Sequence, residues 1–451
     1  MDAARERVIH RLSLQARRYP DLDIAPLQTD DLPALDAAFA HAIYDAALRR
    51  WLTLAYLLEQ SLTQPWETLE PKVKAPLLAG AAQVLLLDRI PPHAAVNASV
   101  EWAKQRVRPG AAALVNAALR RTVELAYFGD GDERTRREAW TDQPDEIPMD
   151  DGTALALAAP VLPTDGMSRL AVATSHPINL LRSWSKAMAI RDLKSRALHG
   201  IARPPTILNT AHAKPEAPLP EEFMRRHALP GHHVWTGPHE ALSSFLRSRN
   251  DVWAQDPASS SAVESIADLR PGLIVDVCAG NGTKTRQLAY TFPEAQIVAS
   301  DVAEDRVDSM RGVFRNHPRV RVVPLKGLDE FAGKADLVLL DVPCTNTGVL
   351  ARRVEARYRF DDDRLGELAS KQKQIIADSI RLLAPHAPGG QRGRILYATC
   401  SLDAKENDQQ AEWVNRWHAL SPSRLRRQEP QGGPGEAPER WTDGSFSVLL
   451  G

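Results

Sequence analysis

Cysteine is scarce in this 451-residue chain, and the three cysteines present exclude several kinds of protein. They cannot form a disulfide framework, and their spacing does not match a zinc site. The chain also lacks an apolar run of the ~20 residues that a membrane helix needs, and its first residues do not form a secretory signal. We therefore expect a protein of the reducing cytosol, with no membrane segment and no metal.

Charge of one sign is not in excess either. Lys and Arg together number 56, Asp and Glu number 57, and the formal net charge is −1. This balance does not favour a generally basic nucleic-acid binder, but it leaves room for a local basic patch. The pairs Arg120-Arg121 and Arg352-Arg353 are candidates for contact with phosphate, although a solvated surface is the more ordinary use of such pairs.

The length predicts two or three domains. Residues 1–128 read as an all-α domain, because apolar side chains recur there at helical spacing, as in Phe39, Ile43, Tyr44, Leu48 and Trp51. Residues 129–170 are acidic and punctuated by Pro and Gly, which is typical of a linker or surface insertion. Residues 171–250 read as a connecting subdomain and a candidate for RNA contact, and 251–451 as the last domain.

The last domain has the pattern of an α/β fold. Short runs rich in Val, Ile or Leu alternate with helical segments at Leu273–Val277, Gln296–Ser300, Val320–Pro324, Leu337–Leu340 and Arg394–Ala398. Such alternation predicts βαβ units and a mostly parallel, Rossmann-like sheet with helices on both faces.

Each cysteine follows one of these predicted strands. Cys278, Cys344 and Cys400 come after the first, fourth and fifth runs. Because open α/β sheets bind ligands at the carboxyl ends of their strands, we expect all three thiols to face one crevice. A lone buried cysteine is more often a small hydrophobic residue, and that interpretation is kept for the side chain of Cys278.

A glycine turn follows the first predicted strand, between Asp276 and Thr285, and opens a helix. Its spacing matches neither a phosphate P-loop nor a dinucleotide fingerprint. A structural loop would explain the glycines alone, but Asp301 ends the second strand, where an acid meets ribose hydroxyls in nucleotide-binding folds. The combination favours S-adenosylmethionine. The predicted cofactor-binding residues are Cys278, Ala279, Gly280, Asn281, Gly282, Thr283, Lys284, Asp301, Arg306, Asp329 and Asp341.

Two of the cysteines suit one particular reaction. Cytosine C5 is a poor nucleophile until a thiolate adds to C6, so C5 methylation needs an activated cysteine and an exposed base. The dipeptides Pro343-Cys344 and Thr399-Cys400 end strands of one predicted sheet, so both thiols can face one base. Asp341 precedes the first of them and is predicted to hydrogen-bond the pyrimidine and stabilise protonation of N3.

At these motifs the chain resembles the RNA cytosine-C5 methyltransferases of the RsmB/NOP/Sun family. The Asp-Ala-Pro-Cys motif of the family resembles Asp341 to Cys344, and its Tyr-Ala-Thr-Cys-Ser motif is matched by Tyr397 to Ser401. The resemblance implies that Cys400 is the nucleophile and that Cys344 assists product release. DNA cytosine-C5 methyltransferases attack with the Pro-Cys thiol and lack the second cysteine, so the pair favours RNA.

The N-terminal region carries a second resemblance. The segments Val96-Asn97 and Leu114 to Arg121 look like the NusB-type helical domain, which is fused to the methyltransferase in the branch that modifies small-subunit ribosomal RNA. The resemblance implies an RNA-binding module and 16S ribosomal RNA as the substrate. Nothing in the sequence demands more than a monomer.

The chain departs from the family pattern at three places. The glycine turn of the family usually reads Ala-Pro-Gly-Gly-Lys, whereas here it is Gly280-Asn281-Gly282-Thr283-Lys284. A third motif, normally Gly-Asp, reads Gly327-Leu328, so the acid near the adenine is replaced by Leu. Either Asp329 substitutes for it after a shift of one residue, or recognition of the adenine is changed. After Arg352-Arg353 the His-Pro-Asp of the family is missing.

Two other functions stay open on the sequence alone. A catalytically weak RNA-binding factor of ribosome assembly would explain the altered third motif. A cytosine-C5 methyltransferase of transfer RNA, or an enzyme of a small molecule, would explain the cysteine pair but not the NusB-like domain.

Overall fold

The computed structural model describes residues 2–88, 90–127, 134–386 and 392–451. Its α-helices are α1 Ala3–Arg18, α2 Ala34–Arg49, α3 Trp51–Glu59, α4 Pro71–Leu86, α5 Pro92–Arg106, α6 Pro109–Ala126, α7 Gly166–Ala173, α8 Ile178–Ser185, α9 Ile190–Ile201, α10 His239–Ser248, α11 Pro257–Glu264, α12 Thr283–Thr291, α13 Glu304–Val313, α14 Val354–Tyr358, α15 Asp362–Ile380 and α16 Asp408–His418.

The strands are β1 Arg136–Arg137, β2 Glu146–Pro148, β3 Ala154–Ala156, β4 Thr206–Asn209, β5 Met224–Arg226, β6 His232–Trp235, β7 Trp253–Ala254, β8 Leu273–Asp276, β9 Gln296–Ala299, β10 Val320–Val322, β11 Leu337–Asp341, β12 Arg394–Thr399, β13 Pro422–Gln428 and β14 Ser445–Leu450. Among the described residues, none of the helices combines the length and the apolar character that a membrane crossing requires.

The elements group into two compact units. The helical unit consists of Met1–Arg203, Leu350–Phe360 and Gly433–Glu436. The sheet unit consists of Pro204–Val349, Asp361–Gly432 and Ala437–Gly451.

The helical unit is built around buried apolar side chains of α1 to α6. Ile9 and Leu12 of α1, Leu54 of α3 and Leu77 and Leu78 of α4 are all fully buried in one core. Ile9 and Leu12 are three residues apart, a spacing that places side chains on one face of a helix.

The acidic segment after α6 differs from the predicted linker. The predicted boundary at 128 and 129 lies outside the described residues. Beyond it, β2 and β1 pair antiparallel with the two edges of β3, and Ile147 and Leu155 are fully buried in the core of the helical unit. Two of its acidic side chains are paired with an arginine of the same segment, since Arg137 forms salt bridges with Asp145 and Glu146. The acidic residues that suggested a solvated linker thus belong to a folded segment, in which part of their charge is paired with arginine.

Segment Leu350–Phe360 contributes a buried arginine to the helical unit. The guanidinium of Arg357 is fully buried and donates hydrogen bonds to the carbonyl oxygens of Arg49 (3.1 Å), Ser175 (3.4 Å), Leu350 (3.4 Å) and Gly200. Burial lowers the pKa of Arg357 to about 10, so the group is still a cation at neutral pH. A cation held by carbonyl oxygens from separate segments ties those segments together.

We expect Arg357→Ala to destabilise the helical unit by at least about 3 kcal/mol, because several buried carbonyl oxygens lose their donor at once. Urea unfolding followed by far-ultraviolet circular dichroism measures the effect. The control is Arg353→Ala on the same segment, whose exposed side chain predicts a change within about 0.5 kcal/mol. Equal unfolding midpoints for the two variants would contradict this role of Arg357.

The sheet unit confirms the predicted α/β class. Its main sheet has the order β10-β9-β8-β11-β12-β14-β13, parallel from β10 to β12. Alternate residues of β8 serve opposite faces, since Val275 lies in one core cluster and Ile274 in another. Helices therefore cover both faces, as the near-continuous apolar strands predict.

Two parts of the sheet unit were not predicted. β14 pairs antiparallel with β12, and β13 pairs antiparallel with β14. A second sheet, of order β5-β6-β4-β7, lies in the same unit. The predicted connecting subdomain of residues 171–250 is therefore divided, because α7 to α9 belong to the helical unit and β4 to β6 to the sheet unit.

Candidate active site

The site lies where the strand order of the main sheet reverses. β8 comes first in the chain and pairs with β9 on one side and β11 on the other. In open α/β sheets this reversal opens a crevice beyond the carboxyl ends of the strands. The loops that follow β8, β9, β11 and β12 hold the predicted site residues.

The turn after β8 is shaped by two glycines in left-handed conformation. Gly280 has φ of +59° and donates its N–H to Oδ2 of Asp301 at 2.9 Å. A Cβ on Gly280 would meet nothing within 4 Å, so this side of the turn is open. Gly282 has φ of +82°, and a Cβ there would lie 2.6 Å from the Phe314 ring. The turn thus offers bare backbone to a ligand on one side and packs tightly on the other.

Asp301 lies beyond the end of β9, as predicted, and is buried. Its Oδ1 accepts the N–H of Ala303, and its Oδ2 lies 3.6 Å from the guanidinium of Arg306. Two exposed apolar side chains accompany it, Val302 directly after Asp301 and Leu325 beyond the end of neighbouring β10. Sequence analysis missed these two residues, although exposed apolar side chains next to a predicted ribose-binding acid are a usable signal.

Lys284 and Asp341 form an ion pair across the crevice. Lys284 on α12 donates from Nζ to Oδ2 of Asp341 at 2.7 Å and to Oγ of Ser259 at 3.2 Å. Burial acts to lower the pKa of Lys284, but Asp341 outweighs it and the pKa is raised. The nearby thiol of Cys400 acts in the same direction. The ammonium group therefore stays charged between the predicted cofactor turn and the predicted nucleophile.

Asp276, the last residue of β8, is fully buried beneath the turn. Its Oδ2 accepts the hydroxyl of Thr285 at 2.7 Å, and its Oδ1 has no partner among the described residues. Burial raises the pKa of Asp276 to about 7. A raised pKa means that the folded protein still holds the proton of this carboxyl group at pH values where the unfolded chain has already lost it.

This shift predicts a stability that falls with pH. From about pH 4 to about pH 7 the folded state holds the proton of Asp276 and the unfolded state does not, so the free energy of unfolding drops by roughly 3 kcal/mol. In Asp276→Asn that dependence is absent. The melting temperature of the variant relative to wild type should therefore rise from about pH 5 to about pH 8. Asp305→Asn, at an exposed position on α13, serves as the control, and a pH-independent difference for Asp276→Asn would contradict the raised pKa.

The two predicted catalytic cysteines are brought together. The Sγ atoms of Cys344 and Cys400 are 3.3 Å apart. Their hydrogen bond, together with burial, raises the pKa of Cys344 well above its ordinary value. Gly348 joins their loops, since its N–H donates to the carbonyl of Cys400 at 2.8 Å and a Cβ there would lie 2.6 Å from the carbonyl oxygen of Gly444. The third cysteine, Cys278, is not part of this pair. Burial raises the pKa of its thiol to about 12, and its side chain packs against the sheet core.

A buried glutamate supports the Pro-Cys loop. Glu406 accepts the N–H and the hydroxyl of Thr345, and its Oε1 accepts Nε2 of Gln372 at 2.9 Å. Burial raises the pKa of Glu406. Gln372 also donates to the carbonyl of Pro343, and the Tyr397 hydroxyl donates to the carbonyl of Glu406. The network fixes the backbone on both sides of Cys344.

Asp329, the predicted substitute for the missing acid, lies on the surface of the sheet unit. Leu325–Phe331 form a 3-10 helix in which Leu328 is buried in the core. The side chain of Asp329 is 70% exposed and forms a 2.6 Å salt bridge with Arg381. The tight helical turn directs adjacent residues to different sides, and binding of the cofactor by Asp329 stays a prediction.

The predicted RNA-binding arginines belong to the helical unit and not to the crevice. Arg120, Arg121, Arg352 and Arg353 are all exposed. Arg120 lines a groove of about 1150 Å³ that also contains Asn97, Tyr127, Arg134 and Arg136. Within the described residues, no group of three or more His, Cys, Asp and Glu side chains is arranged to hold a metal ion.

Comparison with known proteins agrees with this division. The sequence profile of the 16S rRNA methyltransferase RsmB/F family matches residues 267–433, and that of the NusB family matches residues 8–124. Ribosomal RNA small subunit methyltransferase B of Xanthomonas campestris is 30% identical over 84% of this chain and 79% of that protein. The chain belongs to the RsmB/F family of rRNA methyltransferases. The predicted family resemblance and the N-terminal NusB-like domain are thereby confirmed.

Other relatives extend the match over both units. The enzyme of the same name from Citrobacter koseri is 28% identical over 83% of this chain and 81% of its own length. A solved structure titled "Crystal Structure of PH0851" covers 99% of this chain with a TM-score of 0.70 at 19% identity, which shows that the fold is shared. Membership of the RsmB/F family makes the crevice of the sheet unit the candidate active site of an RNA methyltransferase.

Proposed function

We propose that this protein methylates C5 of cytosine in 16S ribosomal RNA, with S-adenosylmethionine as methyl donor and Cys400 as nucleophile. The observation that carries the proposal is the 3.3 Å approach of the Cys344 and Cys400 thiols at the crevice of the sheet. A methyltransferase acting on a nucleophilic nitrogen or oxygen has no need of a thiol pair at this place. Addition to C6 of a pyrimidine does require one thiolate there.

The residues beyond β8 and β9 fit S-adenosylmethionine. The open side of Gly280 lets backbone N–H groups approach the ligand, and Asp301 is placed to accept ribose hydroxyls. Val302 and Leu325 offer apolar surface to an adenine ring. When bound, the cofactor supplies an electrophilic methyl group. The altered third motif leaves Leu328 in the core, so the adenine is held without the acid that the family places there.

The chemistry of this chain starts at Cys400. Its S–H bond breaks, the proton leaves to solvent, and the sulfur forms a bond to C6 of the cytosine, which makes C5 nucleophilic. Once C5 carries the methyl group, its remaining proton is lost and the bond between sulfur and C6 breaks, which restores the aromatic ring. Cys344, which keeps its own proton because its pKa is raised, is placed beside the breaking bond.

Asp341 and Lys284 organise the charge around the base. The carboxylate of Asp341 accepts one hydrogen bond from Lys284 and has a second oxygen left for the base. A cytosine that gains charge on N3 during thiolate addition is stabilised by that oxygen if N3 is protonated. The ammonium of Lys284 also places a positive charge near Cys400.

The groove of the helical unit is the proposed second contact with RNA. Arg120, Arg134 and Arg136 supply positive charge, and Tyr127 supplies an aromatic side chain. Arg134 and Arg136 share Asp88 as a partner, so a phosphate would compete with that carboxylate. The protein acts as a monomer in this proposal. Its compartment is the reducing cytosol, because its substrate is ribosomal RNA of the small subunit.

The test is transfer of radiolabelled methyl from S-adenosylmethionine to unmodified small-subunit ribosomal RNA, followed by nucleoside analysis. Label recovered as 5-methylcytosine supports the proposal, whereas label in another nucleoside overturns the assignment to cytosine C5. No label with intact cofactor binding moves the substrate to another RNA, such as transfer RNA. No label and no cofactor binding would identify an assembly factor that has kept only the fold, as the buried Leu328 would favour.

A further inference from the structure

The Pro-Cys loop carries an asparagine in direct contact with the proposed nucleophile. Asn346 lies two residues after Cys344, and its Oδ1 is 3.1 Å from Sγ of Cys400. Its Nδ2 donates to the backbone carbonyl of Cys344 at 3.0 Å. None of the family motifs quoted above assigns a function to this position.

The amide can face the thiol in one orientation only. The carbonyl of Cys344 can only accept a hydrogen bond, so the NH₂ group of Asn346 must point to it and Oδ1 must point to Cys400. Reversal of the amide would bring two carbonyl oxygens together and lose that bond. Oδ1 is a pure acceptor, so its contact with Cys400 requires that the sulfur carry a hydrogen.

The backbone of Asn346 is held in the conformation that fixes this contact. Its φ is +59°, in the left-handed region, where asparagine is several-fold enriched and most other side chains are strained. The adjoining Thr345 is held by Glu406, and Gly348 is held against the carbonyl of Cys400. These contacts hold the loop in place, so the amide of Asn346 stays directed at the thiol of Cys400.

We infer that Asn346 is a positioning residue that keeps Cys400 a protonated, weakly nucleophilic thiol in the protein without RNA. This rests on the proposed role of Cys400. When Cys400 ionises, the S–H bond breaks and the proton leaves to solvent, and Oδ1 then faces a thiolate from which it has no hydrogen to accept. The hydrogen bond is lost in that step, so Asn346 favours the neutral form.

Other groups around Cys400 act in the opposite direction. Lys284 of α12 places a positive charge near Cys400. Because Cys400 donates its hydrogen to Asn346, Cys344 of the Pro-Cys loop must donate its own S–H to Cys400. The carboxylates of Asp341 and Glu406 lie farther along the same crevice and are each held by their own donors. Asn346 thus opposes ionisation of Cys400 in a site whose other groups activate the sulfur. It would thereby protect the nucleophile from alkylation and oxidation between turnovers.

The test is alkylation of Cys400 by iodoacetamide in the full-length protein, without RNA or cofactor, followed by mass spectrometry of the peptide that contains Cys400. Asn346→Gly removes the amide and is free to keep φ near +59°. Near neutral pH we expect about three- to fivefold faster alkylation in this variant, since one hydrogen bond to the neutral thiol is lost. Asn346→Asp keeps the shape but places a negative charge beside the sulfur, so alkylation should slow by at least about threefold.

A high-pH measurement separates protonation from access. Where every variant is a thiolate, the rates should converge, because Asn346 then no longer decides how much thiolate is present. Ala419→Gly, at another position with positive φ, is the matched control and should react like wild type. Equal changes in the Gly and Asp variants, no change in either, or a difference that persists at high pH would overturn the inference. None of these outcomes depends on 5-methylcytosine formation, so failure of the proposed function is recognised separately.

Discussion

Replacing Cys400 by Ala should abolish methyl transfer, with a loss of at least about 10³-fold in kcat. Without the sulfur, C5 of cytosine is not activated, and the neighbouring thiol of Cys344 does not replace it, because the pKa of Cys344 is raised and its sulfur keeps its proton. Cys400 directly follows β12, beside Cys344 and Asn346, and the ammonium of Lys284 is nearby. The measurement is single-turnover transfer of labelled methyl to ribosomal RNA at saturating cofactor.

The matched control for this prediction is Cys278→Ala, which removes the cysteine whose side chain packs against the sheet core. Burial holds the pKa of Cys278 at about 12, so this sulfur is not a nucleophile near neutral pH. We expect kcat at saturating cofactor to stay within about twofold. Cofactor binding and the melting temperature of Cys400→Ala should also match wild type. Turnover in Cys400→Ala at a tenth of the wild-type rate or more would exclude covalent catalysis through this residue.

Replacing Cys344 by Ala should trap the enzyme on its RNA. Its thiol lies 3.3 Å from Cys400 and stays protonated because its pKa is raised. It can therefore assist breakage of the bond between the sulfur of Cys400 and C6. Without it the adduct forms but resolves slowly, and steady-state turnover should fall by about 10²-fold. Denaturing gels of enzyme mixed with RNA and cofactor should show a slowly migrating protein–RNA band.

Two further variants give this prediction its controls. The double variant Cys344→Ala, Cys400→Ala should show no slow band, because the bond to C6 cannot form. Cys344→Ser restores an O–H donor at the same place and should weaken the band relative to Cys344→Ala. Full turnover by Cys344→Ala together with absence of the band would remove Cys344 from the mechanism.

The sequence predicts the centre of the sheet better than its edge. β8 to β12 are short apolar runs between helical patterns, and buried parallel strands require such runs. β13 consists largely of exposed polar and charged side chains, because it lies at the border of the sheet, where charge prevents pairing with other chains. A strand of that composition has no apolar pattern to detect, and its pairing with β14 depends on contacts far from it in sequence.

The sequence predicts those site residues whose type the chemistry requires. It does not predict residues whose contacts depend only on the backbone conformation. The cysteines, the glycines of the turn and Asp301 follow from chemistry at strand ends. Asn346 has no such signal, since its contact with Cys400 depends on a left-handed backbone and on a residue 54 positions away. Asp329 also shows what spacing alone leaves out: the 3-10 helix directs its side chain toward Arg381, a contact that the sequence does not indicate.

Segment Leu350–Phe360 has a consequence for any attempt to divide this chain. It begins two residues after Gly348, yet its side chains Val354, Arg357 and Tyr358 are buried in the core of the helical unit. A fragment that starts after Arg203 would contain both cysteines but would leave these side chains, including a cation, without their surroundings. A cut at Arg203 therefore separates Leu350–Phe360 from the unit in which its side chains are buried. Domain-swap experiments that keep Leu350–Phe360 and the N-terminal half from the same parent should therefore yield folded protein more often than those that cut at Arg203.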